Sequence, residues 1–528
     1  VQPVIIVGAG PTGLALALAL ARQGVPSQVL DSGDGSVERR PARSCVLPPD
    51  IAHWGELPGA LAQGARWAGW RTTLRGRVRE HVPFTSRNAP LQLPLHALER
   101  ALREETAGQR LIRITPHSRL SGVEQTERGV TAYVCSTRDG ADPTREEPKP
   151  GSHLVGCDGA RSTVRKLMRI PFTGRTSVER HAVAALRVDL PHRGEAALHR
   201  ALPGVGSPAI DEVTVRPLAD GRWRLDWPLL AGEELVTPDA LLDLIHQTLA
   251  AWHEGTVPPY ELLDTGVYLC HQRLARHWRA GRVFLAGDAA HLLGALGTQQ
   301  TAEGLRDVDN LSWKLALDWH HGDAGALLDS YEDERRTAVG ARLRAVDQAL
   351  PLVRGRGGIG ALLTGREQNR LTLLTDAPLN RGALGGDTPY PQPRPVRSLT
   401  VSTPPGAVAE DVAVTALDGT RGRLHQRFGG PQLLVLTAPG AGVWDSRHWL
   451  SAGLMPDLAA TARTLPVEAE LLVTDEYPGA PAHTLLVIRP DGRLAAALPG
   501  SATDELVRYA GSLRGPATDE TATPAGQH

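Results

Sequence analysis

The stretch that most constrains this chain is its first one, VQPVIIVGAGPTGLALALALARQGVPSQVLDSG. Val4–Val7 is a continuous β-branched run, as expected of a strand buried on both faces. Gly8, Gly10 and Gly13 follow as G-x-G-x-x-G, and Leu14–Arg22 supplies good helix formers. Gly24 ends that helix, and Gln28–Leu30 reads as the next strand. Asp31 stands 23 residues beyond Gly8, where an acid that accepts from ribose hydroxyls belongs in a dinucleotide-binding βαβ unit. Gly8 permits the tight turn, Gly10 lets backbone approach a pyrophosphate, and Gly13 lets helix pack on strand. With Pro11 and Thr12 they form the candidate phosphate-binding turn, backed by the free N–H groups of a helix start.

The pattern alone decides little. With 56 glycines in 528 residues, three at these offsets arise by chance roughly 0.6 times. The strand before, the helix after and the acid at its offset carry the reading. They do not choose between nicotinamide and flavin dinucleotides.

This nucleotide domain is not completed locally. LVGCDGARSTVRK (154–166) reads as a strand ending at Asp158-Gly159, then an incipient helix with Ser162 and Arg165. GRVFLAGDAAHLL (281–293) reads as a buried strand ending at Gly287-Asp288. An Asp held by a Gly at a strand's carboxyl end can accept from a sugar-chain hydroxyl. Either Asp can equally be an ordinary strand-ending turn.

Bulk properties narrow the class. At 528 residues the chain holds two to four domains. A net charge of −1 gives no electrostatic case for nucleic acid or an anionic membrane surface. Cys45, Cys135, Cys157 and Cys270 form no CxxC pair, and read as reduced core residues of a cytoplasmic protein. The apolar run Leu14–Ala21 is too short to span a bilayer and lacks a basic flank, so neither a signal peptide nor an anchor is expected. No metal-ligand spacing and no Ser-His-Asp set is present.

Taken in order, G-x-G-x-x-G, D-G-x-x-S-x-V-R and G-D-A-A-H resemble the single-component FAD-dependent monooxygenases of the p-hydroxybenzoate hydroxylase type, especially their aromatic polyketide hydroxylase branch. HQRLARHWRAGRVFLAGDAAH (271–291), DNLSWKLA (309–316) and LLDSYEDERR (327–336) carry the likeness further. The resemblance covers about residues 3–350. It implies FAD as cofactor and NAD(P)H as a transient reductant, with no separate nicotinamide domain. Carried over residue by residue, Gly8, Gly10, Pro11, Thr12, Gly13 and Asp31 would bind the ADP half. Gly287 and Asp288 would take the ribityl chain, Gly297 and Thr298 the ring end. Asp158 lies in the motif shared by FAD and NAD(P)H. Arg43, in RRPARSCVL, matches an Arg near the pyrophosphate and flavin, a place suited to a guanidinium fork. Its other reading is a solvated Arg beside Arg39 and Arg40.

The expected fold is mixed α/β and α+β. A split Rossmann-like FAD-binding domain takes 1–169 and 271–375, and a middle domain, an antiparallel sheet with a helix, takes 170–270. A linker over 376–410 leads to a thioredoxin-like domain over 411–515, and 516–528 forms a disordered tail. DEVTVRPLADGRWRLDWPL predicts a hairpin turning at Asp220-Gly221, and Thr237 predicts an N-capped helix. With Arg43, Arg224 and Trp227 are the candidate catalytic residues. Trp223, Trp227 and Arg224 can also be sheet-face packing and a solvated strand residue. His320-His321 reads as a helix-end cap rather than a ligand pair. No cysteine follows Cys270, so the thioredoxin-like domain has no thiol–disulfide chemistry. Packing or a homodimer contact is its expected role.

One segment departs from the resembled family. After G-D-A-A-H, a Pro-Pro pair is replaced by Gly294-Ala295. Gly297 and Gln299 survive, Thr298 and Gln300 replace glycines, Ala302 replaces Asn, and Gly304 and Asp307 remain. Leu95 stands where that family has a Gln beside the flavin. These changes bear on oxygen activation more than on cofactor binding. Two functions therefore stand. In one, the chain is a monooxygenase acting on a small hydrophobic aromatic or polyketide substrate by hydroxylation, epoxidation or Baeyer–Villiger oxidation. In the other it is an FAD-bound, redox-silent cyclase of the Diels–Alderase kind.

Overall fold

Val4–Val7 forms a strand with all four side chains buried, because parallel strands cover both its edges, while the helix Pro11–Arg22 and the strand Glu146–Gly151 of a separate three-stranded sheet pack against it. Its neighbours are Ser27–Leu30, in register Val4↔Ser27, and Leu154–Gly156, in register Ile5↔Leu154. Val283–Leu285 pairs parallel beyond Leu154–Gly156, and Ile112–Thr115 beyond Ser27–Leu30. Arg279–Ala280 closes one edge antiparallel. Both returning strands read from the sequence thus enter one sheet, on the same side of the strand that starts it. In this computed structural model the described residues are 2–344, 389–391, 398–440 and 453–513, apart from 87, 139–144, 204–209, 230–236, 295–298 and 323. Much of the expected linker, all of the expected tail, and Gly297 and Thr298 lie outside them.

The chain divides into two units, Val1–Val308 with Arg336–Thr388, and Asp309–Arg335 with Pro389–His528. The first holds the nucleotide sheet and a second, eight-stranded sheet. The order of the latter is His291–Leu293, Glu261–Ala275, Phe172–Arg187, Arg222–Leu229, Ile210–Pro217, Glu195–Leu202, Gly69–Leu74, Arg77–Pro83. It therefore draws strands from outside 170–270. The hairpin Gly69–Pro83 joins through a parallel pairing with Glu195–Leu202, and His291–Leu293 caps the other edge. The predicted hairpin turns at Asp220 and Gly221, both with positive φ (59° and 67°), the geometry a two-residue hairpin turn needs. Thr237 caps the helix Pro238–Trp252 through its Oγ1, which accepts from Ala240 N at 3.2 Å.

Strand periodicity gives this sheet two unlike faces. On one, Ala182, Ala184, Leu186, Trp223, Leu225 and Trp227 pack beneath Leu241, Ile245 and Leu249 of the capped helix. On the other, Val183 and Ala185 pack on Ala42 of the loop after Asp31, and Arg224 and Asp226 alternate out of the same strand. The second face is the roof of the site described below.

The second unit is built on a six-stranded sheet. Gln432–Thr437, wholly buried, runs parallel to Ala469–Thr474 and antiparallel to Thr484–Ile488. Leu494–Pro499 extends one side, and Ala413–Ala416 and Arg421–Arg423 the other. Met455–Ala462 and Thr503–Ser512 cover one face. The arrangement is the expected thioredoxin-like one. Segment 309–335 of the same unit contributes Glu334, whose carboxylate accepts from Arg489 Nη1 (2.7 Å) and Nη2 (2.8 Å), Lys314 Nζ (2.7 Å) and Asn310 Nδ2 (2.7 Å). Asp491 takes Arg489 Nε at 3.0 Å. Lys314 of DNLSWKLA and Glu334 of LLDSYEDERR are thus partners in one buried ionic knot. No helix among the described residues is long and apolar enough to cross a membrane.

Candidate functional site

The glycine turn is fixed by backbone packing at two of its three glycines. Gly8 has φ +104°, and a Cβ there would stand 2.5 Å from the Cys157 carbonyl oxygen. A Cβ on Gly13 would stand 2.0 Å from the Gly8 oxygen. Gly10 is different: nothing lies within 4 Å of where its Cβ would be. It is also the N-cap of the helix Pro11–Arg22, which has no side-chain cap and no acid in its first turn. Open space against uncapped N–H groups and positive helix potential suits a pyrophosphate.

The remaining acids gather at the carboxyl ends of the neighbouring strands. Asp31 Oδ1 accepts from Ala9 N at 3.5 Å. Arg103 donates to the Ala9 oxygen at 2.9 Å and stands 3.7 Å from Asp31 Oδ2. Sequence reasoning missed Arg103, because its only local signal is an i,i+4 pairing with Glu99, which it also makes. Asp158 Oδ2 accepts from Thr163 N (2.6 Å) and Val164 N (3.0 Å). Its Oδ1 is buried without a hydrogen-bond partner, an arrangement that costs free energy until a donor arrives. Arg165 ties this turn to the next one by donating to the Ala289 and Ala160 oxygens, both at 2.8 Å.

Gly287, at φ +61°, abuts the first turn: its Cβ would meet Thr12 Oγ1 at 2.7 Å, and that of Gly304 would meet the same atom at 2.6 Å. Thr12, Gly287 and Gly304 therefore form one close contact between the glycine turn and the helix Gln300–His321. Asp307 Oδ2 accepts from Gly287 N and faces His291 Nε2, both at 2.8 Å, with His291 and Asp307 fully buried. Trp278 stacks on His291 at 5.2 Å. The His of G-D-A-A-H is thus a tie within the wall, not a free acid or base. The first turn of the helix is anchored again by Arg306, which grips Asp50 through Nε (2.8 Å) and Nη2 (2.9 Å) and Glu303 through Nη1 (2.6 Å). Arg342 adds bonds to Glu303 and Gln299.

Gln300, one of the departures noted above, fills a specific place. Its Nε2 donates to Asp288 Oδ1 (2.9 Å) and to the His291 oxygen (2.7 Å), and its Oε1 accepts from Leu293 N (2.7 Å). Burial pushes the Asp288 carboxyl up, and the Gln300 bond opposes that.

The roof is polar where it meets the loop carrying Arg43. Arg224 Nε donates to the Ala42 oxygen at 2.8 Å, while Ala42 N donates to Asp264 Oδ2 at 3.0 Å. The Arg43 side chain is exposed, and its backbone is held by Leu95 N, which donates to the Arg43 oxygen at 2.8 Å. Asp226 accepts from Tyr268 OH at 2.9 Å, faces His181 Nδ1 at 2.6 Å and lies 2.9 Å from Arg224 Nη1. The His181 and Tyr268 rings are stacked at 5.2 Å. Burial works against the Asp226 charge, but Arg224, His181 and Arg216 outweigh it and hold the carboxyl far below the usual range. Trp227 is not with them. It lies on the opposite face, 1% exposed, its indole donating to Thr248 Oγ1 at 3.1 Å, so it packs in the core, away from the roof's polar side. Asp226, His181 and Tyr268 carried no motif in the sequence.

Residues 2–346 match the family model for the FAD binding domain. The chain is 31% identical to a dialkyldecalin synthase of Streptomyces rugosporus, over 68% of this chain and 74% of that protein. It is 27% identical to a tetracenomycin A2 monooxygenase-dioxygenase of Streptomyces glaucescens, over 96% of this chain and 95% of that protein. It spans 57% of the length of a mycobacterial 3-(3-hydroxy-phenyl)propionate/3-hydroxycinnamic acid hydroxylase that it also matches. Its fold matches the crystal structure of a ternary complex of aklavinone-11 hydroxylase with FAD and aklavinone, at TM-score 0.70 and 22% identity, over 96% and 98% of the two chains. The chain belongs to the FAD binding domain family, and FAD is its cofactor. The resemblance read from its motifs is upheld.

Proposed function

We propose that this protein is an FAD-dependent monooxygenase that takes electrons from NAD(P)H and oxidises an aromatic or polyketide intermediate by hydroxylation, epoxidation or Baeyer–Villiger insertion. One oxygen atom of O2 enters the substrate and the other leaves as water. The observation that carries the reading is the placement of the open flank of Gly10, the unpartnered Asp158 Oδ1 and the Asp288 carboxylate just past the ends of three adjoining parallel strands of one sheet. The end-to-end match with a monooxygenase-dioxygenase supports it.

FAD, when bound, supplies hydride acceptance and oxygen transfer. The chain supplies the rest. The uncapped helix start holds phosphate, Asp31 and Arg103 border the ribose, and Asp158 Oδ1 takes a donor from cofactor or reductant. Arg224 and Asp264 hold the Arg43 loop closed against the roof and keep water out. Asp226, kept ionised, fixes the orientation of His181 and Tyr268, which present an imidazole and an aromatic face to the substrate. Its site of action is the cytoplasm, a reading supported by the free, buried Cys45, Cys135 and Cys157.

The bond between Gln300 and Asp288, together with 31% identity to a dialkyldecalin synthase, favours one alternative: a cyclase in which FAD is held without turnover and the pocket acts as an entropy trap. Anaerobic mixing of the yellow holoprotein with NADPH or NADH separates the two. The monooxygenase reading expects the flavin band to bleach, faster with substrate present. A band that persists, with product at the substrate's oxidation level, overturns it in favour of the cyclase.

A further inference from the structure

We propose that Gln300 is a cofactor-positioning residue: its amide presets the Asp288 carboxylate and staples the strand His291–Leu293 to the helix start, so that FAD is retained in one pose. The inference rests on the FAD-binding reading above. One side chain makes three short bonds, to a carboxylate, a carbonyl and an N–H, across two segments twelve and seven residues away (Asp288 and Leu293). Each bond uses the amide's own polarity. The two N–H groups face acceptors and the one oxygen faces a donor, so neither an acid nor an apolar isostere can reproduce the set.

The consequence for Asp288 is specific. Its Oδ1 is taken by Gln300, and Oδ2 receives no bond from the described residues, which leaves it as the acceptor for a ribityl hydroxyl. Without the amide, the half-buried carboxylate has no donor from the described residues, and its partial desolvation raises its proton affinity. Protonated at Oδ2, Asp288 would present an O–H donor where the cofactor hydroxyl needs an acceptor. Gln300 thus holds a proton off the atom that reads the ribityl chain. Its position on the first turn of Gln300–His321, whose next turns are clamped by Glu303–Arg306–Asp50 and by Asp307–His291, makes the staple rigid.

The test compares apoprotein titrated with FAD for wild type, Gln300→Met, Gln300→Glu and Asp288→Ala, read by flavin fluorescence quenching and visible circular dichroism. The expected result is a Kd raised about tenfold or more in Gln300→Met, with altered flavin dichroism. In Gln300→Glu the two carboxylates share a proton, so its Kd falls back toward wild type as pH is lowered. Should the Glu variant fail to fold, the isosteric Met variant decides alone. A Met variant that matches wild type in Kd and dichroism while Asp288→Ala loses FAD overturns the role of Gln300 and leaves FAD binding standing. A wild-type protein that refuses FAD overturns the reading beneath it.

Discussion

Glu334→Gln is the sharpest perturbation of the second unit, because it removes a charge and almost no volume. The wild-type carboxylate accepts from Lys314, Asn310 and both Arg489 Nη atoms at 2.7–2.8 Å. Burial works to raise that carboxyl, but Arg489 and Lys314 outweigh it and hold it well below the usual range. Lys314 has no exposed side-chain surface, and burial brings its amine down to about 8 even with Glu334 pulling it up. With glutamine at 334, buried Lys314 loses its hydrogen-bonded carboxylate and keeps only the Ser330 hydroxyl and the field of Asp491, at a cost of about 3–5 kcal/mol. The sign with pH follows from linkage. An amine lowered on folding binds fewer protons in the folded state, so stability rises with pH between its folded value and about 10.4 when unfolded. In wild type that rise begins near about 8; in the variant it begins lower, since the charge that kept the proton is gone. The deficit of Glu334→Gln is therefore largest at mildly acidic pH and shrinks toward pH 8 by about 1.4 kcal/mol per pH unit. Urea unfolding across that range, followed by tryptophan fluorescence, measures it. Adding Lys314→Met is expected to abolish the pH dependence. A deficit under about 1 kcal/mol, the same at every pH, refutes the reasoning.

The nucleotide turn offers a paired test. Gly10→Ala is expected to fold like wild type, since its Cβ meets nothing, yet to weaken FAD binding, whereas Gly13→Ala, which drives a Cβ to 2.0 Å from the Gly8 oxygen, unfolds the turn; thermal melts and FAD titration of both decide. Asp226→Asn removes the partner of buried Arg224 and is expected to cost about 3–5 kcal/mol. In wild type, that contribution is present above the usual carboxylate range and is lost only as pH falls toward the depressed folded value. Asp264→Asn, which loosens the grip on Ala42 N, is expected to speed NAD(P)H consumption without product, read as peroxide released per product formed. His181→Asn is expected to lower kcat/KM for substrate while leaving the FAD Kd unchanged.

The nucleotide domain was legible because its parts are dense in local constraint. Gly8, Gly13 and Gly287 stand where backbone or Thr12 leaves no room for a Cβ, and the short strands Ser27–Leu30, Leu154–Gly156 and Val283–Leu285 each lead directly or within a residue or two into an Asp. The roof was legible as a hairpin with a capped helix. Its extension by Gly69–Pro83 was not, since a pairing with a strand more than a hundred residues away leaves no local trace. Arg224 and Trp227 are three residues apart on one strand, and period-2 alternation already places them on opposite faces; only Arg224 can belong to the polar side. Asp226 left no signal in the sequence because its partners His181, Tyr268 and Arg216 come from three other strands. The Gln300 departure was visible in the sequence, but what it contacts depends on the closeness of a helix start to a strand end, which only the fold supplies.

A crystal structure of the holoprotein tests the central claim most directly. Density for the pyrophosphate beside Gly10, the ribose at Asp31 and the ribityl chain at Asp288, with the ring beneath the Arg224–Asp226 face of the roof, is the predicted result. FAD bound elsewhere, or these three residues lining separate voids, contradicts it.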